Sequence, residues 1–98
     1  MKGTIQLAVE ALRKCAEAHH ARFEDYTVTE DESPQVAIMS DTVPTVADAR
    51  SICRAIFGTH DIAEVSCGFI TVYLDEREPL EEVDETMLRT ALPYGTEL

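Results

Sequence analysis

Cys15 and His19 stand four residues apart, a spacing that puts a thiol and an imidazole on one helix face and serves both zinc ligation and Cys–His nucleophile pairs. Both fall on an apolar stripe, where a thiol packs as a small hydrophobe and a partly buried histidine takes one hydrogen bond, so two core residues are expected. Cys53, His60 and Cys67 follow at intervals of seven, without the short paired spacings that mark zinc sites. Carboxylates are plentiful enough for acid/base pairs, but 98 residues with three Phe, three Tyr and no Trp offer little wall for a substrate cleft. The only lysines are Lys2 and Lys14, so no Gly-Lys-Ser/Thr phosphate loop exists. Gly-x-Ser-x-Gly is absent as well, which leaves Ser33, Ser40, Ser51 and Ser66 without a nucleophile turn. These residues predict a non-enzymatic protein with no metal and no cofactor.

Charge is the more informative feature. Eight Lys and Arg stand against 19 Asp and Glu, a net charge of −11 that argues against direct binding to nucleic acid or an anionic membrane. The imbalance is local: Met1 to Arg22 carries four bases and two acids, whereas the other 76 residues carry four bases and 17 acids. Asp75, Glu76, Glu78, Glu81, Glu82, Asp84 and Glu85 surround a single base, Arg77. Glu24, Asp25, Glu30, Asp31 and Glu32 form a second run with no base. Such stretches keep a small domain soluble, and they also suit a recognition surface for basic partners. Apolar residues at 45% and charged residues at 28% are ordinary globular proportions. No run approaches the roughly 18 apolar residues of a membrane span. Glu10, Arg13 and Lys14 interrupt the N-terminal region where a signal peptide needs its apolar stretch. With three cysteines, an odd number, a cytoplasmic protein with free thiols is expected.

The elements that must position these residues follow from periodicity. Ile5, Val9, Leu12, Ala16, His19 and Phe23 recur at steps of three and four, predicting an amphipathic helix from Thr4 to about Arg22, with Glu10 and Lys14 paired across one turn. Tyr26 to Thr29 alternates as a strand, Glu30 to Pro34 breaks it, and Val36 to Met39 resumes it. Pro44 and Thr45 open a second helix with a capping-box-like Thr45-x-x-Asp48, buried stripe Val46, Ala49, Cys53, Ile56 and Phe57, and a stop at Gly58. Ile62 to Cys67 and Phe69 to Leu74 read as a hairpin turning at Gly68, with Ala63, Val65 and Cys67 on one face of the first strand. Pro79 to Leu92 has Leu80, Val83, Met87 and Ala91 at helical spacing. The expectation is one α+β domain over 1–98, with an acidic segment at 75–92 and a short tail at 93–98. Its order αββαββ(α) predicts a two-layer sandwich: a four-stranded antiparallel sheet with two helices on one face, the order of a ferredoxin-like fold whose first strand has moved to the end.

Two resemblances bear on function. Ile52-Cys-Arg-Ala-Ile-Phe57, Ile62-Ala-Glu-Val65 and Gly68-Phe-Ile-Thr-Val72 are similar to the N-terminal domain of the Nfu iron–sulfur scaffold family. The chain departs from that family in lacking two residues between Gly68 and Phe69, in carrying Asp61 for a glycine, and in having no Cys-x-x-Cys. That resemblance implies a small cytosolic adaptor or iron–sulfur assembly accessory protein, bound through its sheet and hairpin. In size, acidity and helix-plus-hairpin layout the chain also resembles small phage-borne inhibitors of the anti-CRISPR type, which implies carboxylates presented where nucleic-acid phosphates bind. Together with the charge map, this second resemblance leads to the main expectation. A basic nucleic-acid-binding protein or complex is the partner, and the two acidic stretches make the contact.

Overall fold

A computed structural model describes residues 4–25, 35–61, 63–74 and 80–92. In chain order the elements are α1 (Thr4–Ala18), β1 (Phe23–Asp25), β2 (Gln35–Ile38), α2 (Val43–Phe57), β3 (Ala63–Ser66), β4 (Phe69–Tyr73) and α3 (Glu85–Ala91). The strands form one antiparallel sheet in the order β1-β2-β4-β3. That is the strand order produced when the first strand of a ferredoxin-like fold is moved to the end, so the expected α+β two-layer architecture is the observed one.

Register decides which side chains meet the helices. Phe23, Ile38, Ile70 and Val65 lie in one row across the sheet, and Asp25, Val36, Val72 and Ala63 in the next. Val36, Ile38, Ile70 and Val72 are fully buried against Ala8, Leu12, Ile52, Cys53 and Ile56 of the two long helices. Each such aliphatic side chain removed from water contributes about 1.5–3 kcal/mol. Glu24, Ala37, Thr71 and Glu64 form the intervening row on the opposite face. The Ser66–Phe69 pair leaves Cys67 and Gly68 as a two-residue turn, and Gly68 takes a φ of 85°, as the sequence requires of it. Cys67 is exposed in that turn rather than continuing β3.

Three helix boundaries also differ from the sequence reading, each for a hydrogen-bonding reason. α1 ends at Ala18, four residues early, because His20 adopts a left-handed φ of 55°. The amide of Ala21 then donates to the carbonyl of Ala16 and that of His20 to Glu17, closing the helix in a Schellman motif with histidine where glycine is usual. The reversal sends Phe23 into β1 instead of the helix stripe, while the expected strand at 26–29 and loop at 30–34 lie outside the described residues. At the start of α2, Thr42 is the N-cap and Pro44 falls within the first turn. No capping box forms: Thr45 is fully buried, its hydroxyl 2.7 Å from that of Thr42, and Asp48 turns instead to His19.

The third difference concerns the last helix, which begins at Glu85 and not at Pro79. Residues 80–84 instead form a strap across the end of α2. The amide of Leu80 donates to the Ile56 carbonyl and that of Asp84 to the Ala55 carbonyl, each at 2.9 Å, while Gly58 donates to Arg54. The last turn of any helix leaves carbonyls without intrahelical partners, and here the strap supplies two amides to them, of which that of Asp84 would have been used within a helix running from Pro79. Leu80 also lies over Gly58, where a Cβ would stand 3.0 Å from its Cδ2.

Candidate binding surface

The structure separates the two acidic stretches. Glu24 and Asp25 belong to β1 and are engaged within the fold: Arg22 Nη2 lies 2.7 Å from Glu24 Oε1, and Arg13 Nη2 lies 3.6 Å from Asp25 Oδ2. The Arg13 guanidinium also stacks over the Phe23 ring, 5.2 Å from its centroid, and lies 3.8 Å from Glu10. Glu10 thus pairs with Arg13 rather than Lys14, whose ammonium reaches Glu17 at 3.7 Å. The described bases of the N-terminal segment, Arg13, Lys14 and Arg22, are therefore engaged by neighbouring acids. Glu30, Asp31 and Glu32 lie outside the described residues, as do Asp75, Glu76 and Glu78 of the second stretch.

The strap and the first turn of α3 behave differently. Glu81, Glu82, Asp84 and Glu85 are all exposed, and among the described residues no Lys or Arg forms an ion pair with any of them. Asp84 serves the fold, because its Oδ1 accepts from the Met87 amide at 3.0 Å and so caps α3. Glu81, Glu82 and Glu85 make no such contact among the described residues, so three unneutralised carboxylates lie within five residues.

Behind this acidic end, α2 and α3 flank a groove of about 400 Å³, lined by Asp48, Ser51, Asp84, Thr86, Met87, Thr90 and Ala91. Of these, only Asp84 belongs to the acidic stretches that the sequence singles out. The available signals were the polar pair Asp48 and Ser51 beside the α2 stripe and the pair Thr86 and Thr90 one turn apart on α3, and neither is distinctive without the packing.

The thiol and imidazole groups sit in different surroundings. Cys15 is only 1% exposed, and burial, followed by the nearby Asp48 carboxylate, pushes its thiol up to about 12. A thiol held protonated is a poor nucleophile and a poor metal ligand. His19 Nε2 is 2.8 Å from Asp48 Oδ2, joining the end of α1 to α2. Cys53 is buried, whereas His60, beside Asp61, and Cys67 are exposed. Among the described residues no three His, Cys, Asp or Glu side chains are grouped to hold a metal ion, and no helix is long and apolar enough to cross a membrane.

Comparison with protein-family models, curated proteins and solved structures finds no match.

Proposed function

We propose that this chain is a non-enzymatic binding protein whose acidic end occupies a basic nucleic-acid-binding groove on a partner protein, acting as an inhibitor in the manner of nucleic-acid mimics of the anti-CRISPR kind. The observation that carries the reading is the contrast between neutralised and unneutralised carboxylates. Glu24 and Asp25 meet arginines of their own chain, while Glu81, Glu82 and Glu85 are exposed with no cation against them among the described residues. Solvated carboxylates contribute little to stability. Clustered, they create a field that steers basic partners and meets the same Lys and Arg side chains that phosphates would meet.

The test is displacement. Basic nucleic-acid-binding proteins that co-purify with the chain from its host are loaded with fluorescent DNA or RNA, and the chain is titrated in at 50 and 200 mM salt. Wild type is expected to displace the nucleic acid more strongly at the lower salt. The variant Glu81→Gln/Glu82→Gln/Glu85→Gln, which spares the Asp84 cap, is expected to lose at least tenfold. Equal displacement by that variant at both salt concentrations refutes the reading.

A second reading, the adaptor function, is favoured by Met39 and Phe69. They lie one residue beyond the β2–β4 pair Ile38–Ile70, each 37% exposed. Under that reading Phe69→Ser abolishes partner binding and the triple glutamine variant leaves it intact.

A further inference from the structure

We infer that the outer edge of β3 is a docking site for an extended segment of a partner protein in which a basic residue stands between two apolar ones. Hydrogen-bond geometry sets which groups that edge presents. Only Cys67 and Gly68 separate Ser66 from Phe69, so this closing pair exchanges both of its backbone bonds. Facing residues of an antiparallel ladder alternate between bonded and non-bonded pairs. Glu64–Thr71 is therefore the next bonded pair, and Val65–Ile70 and Ala63–Val72 are non-bonded. The same alternation carried across β4 and β2 points the Met39 amide toward β1, where it donates to the Arg22 carbonyl at 2.8 Å. The amides and carbonyls of Ala63 and Val65 thus face away from β4, and among the described residues nothing bonds to them.

An unpaired row of this kind is a template for another strand, and main-chain bonds to such an edge are what hold an added peptide. The other edge is blunted: β1 is three residues long and carries the pairs Arg22–Glu24 and Arg13–Asp25. From Ala63 to Ser66, β3 has no proline, lysine or bulge. Its one charge is Glu64, exposed and without a Lys or Arg partner among the described residues. Glu64 decides the occupant. For two copies of the chain, the one antiparallel register that pairs all of these edge groups sets Ala63 against Val65 of the second copy and Glu64 against its own counterpart. Facing residues in such a non-bonded pair have Cα atoms about 4.5 Å apart, where like charges are destabilising. The net charge of −11 adds to that repulsion. A segment of another protein with Lys or Arg at this position replaces the repulsion with an opposite-charge pair. Its two flanking residues bond to Ala63 and Val65 and lie on the helix-bearing side of the sheet, beside a Val65 side chain that is 40% exposed, so apolar residues suit them. This surface makes no use of Glu81, Glu82 or Glu85 and goes beyond the function proposed above.

The experiment titrates the isotope-labelled chain with three peptides while following backbone amide shifts: acetyl-Thr-Val-Lys-Val-Thr-amide, its counterpart with Glu for Lys, and the lysine peptide N-methylated on both valines. The lysine peptide is expected to shift the Ala63 and Val65 amides and to bind about fivefold more tightly than the glutamate peptide. N-methylation removes the two donors aimed at β3 and is expected to abolish binding. Val65→Pro removes one outward donor while sparing the β3–β4 bonds, in which Val65 takes no part, and should abolish binding with the β4 amide shifts retained. Glu64→Lys, a reversal of an exposed charge, should turn the preference to the glutamate peptide. The Glu81→Gln/Glu82→Gln/Glu85→Gln variant should bind like wild type. Undiminished binding of the N-methylated peptide, or an unchanged preference in Glu64→Lys, overturns the inference. Loss of binding in the triple variant with retention in Val65→Pro also overturns it and assigns the peptide to the acidic end. So does a wild-type chain that sediments as a dimer and becomes monomeric as Val65→Pro, because a second copy then holds the edge.

Discussion

His20→Gly should stabilise this protein, and Gly68→Ala should destabilise it, for the same reason read in opposite directions. Both positions are left-handed, His20 with a φ of 55° and Gly68 with a φ of 85°. An L-residue held there costs about 1–2 kcal/mol relative to glycine, and glycine costs about 0.5–1 kcal/mol more in chain entropy on folding. The difference at His20 is a net gain of roughly 0.5–1 kcal/mol for glycine. Nothing offsets it, because the imidazole is exposed with no hydrogen bond or ion pair among the described residues, and the closing bonds Ala21 to Ala16 and His20 to Glu17 are made by backbone. At Gly68 an added Cβ meets no atom within 4 Å, so the whole cost of alanine is conformational, again about 0.5–1 kcal/mol. Gly58→Ala is the control with an added steric part. Its φ is 78°, and the new Cβ would stand 3.0 Å from Leu80 Cδ2, so Leu80 and the strap must shift and the loss must exceed that at Gly68. Urea unfolding measures the three differences directly, with an unchanged m-value confirming that the unfolded reference is the same. In a chain of 98 residues 1 kcal/mol corresponds to roughly 4–8 °C in Tm. If His20→Gly is neutral or destabilising while Gly68→Ala has no effect, the left-handed termination of α1 and the placement of the hairpin turn are both wrong.

Two further outcomes follow from the same contacts. Asp84→Ala should cost about 1 kcal/mol by releasing the Met87 amide, with Asp84→Ser recovering most of it, measured by urea unfolding. For Cys15, a thiol raised from its ordinary 9.0 to about 12 means that the unfolded chain ionises first as pH climbs. Stability is therefore unaffected by this group below pH 9 and falls by about 1.4 kcal/mol per pH unit between 9 and 12. Cys15→Ala should flatten that slope, and in the native protein at pH 8 a thiol reagent should modify exposed Cys67 while sparing buried Cys15 and Cys53.

What the sequence determined by itself is whatever depends on local period and local conformational preference. The Ile52, Cys53 and Ile56 stripe can be buried only as a helix, Gly58 and Gly68 are the residues that take positive φ at least cost, and two αββ units can close into a four-stranded antiparallel sheet. The concentration of acid toward the C-terminal part of the chain was legible too, since charge is counted along the chain. Tertiary structure decided which polar groups find each other. The Asp84 amide leaves the helical pattern, and the Leu80 amide bonds beside it, because the carbonyls at the end of α2 are close and need donors. Asp48 leaves its expected cap for a histidine 29 residues away. Glu24 meets Arg22, its neighbour two residues back, but Asp25 reaches Arg13 only because β1 passes beside α1. The groove between α2 and α3 exists only once the two helices pack. Periodicity is a property of neighbours in the chain, whereas a hydrogen bond or an ion pair is satisfied by whichever partner packing brings within about 3 Å, and that partner is chosen in three dimensions.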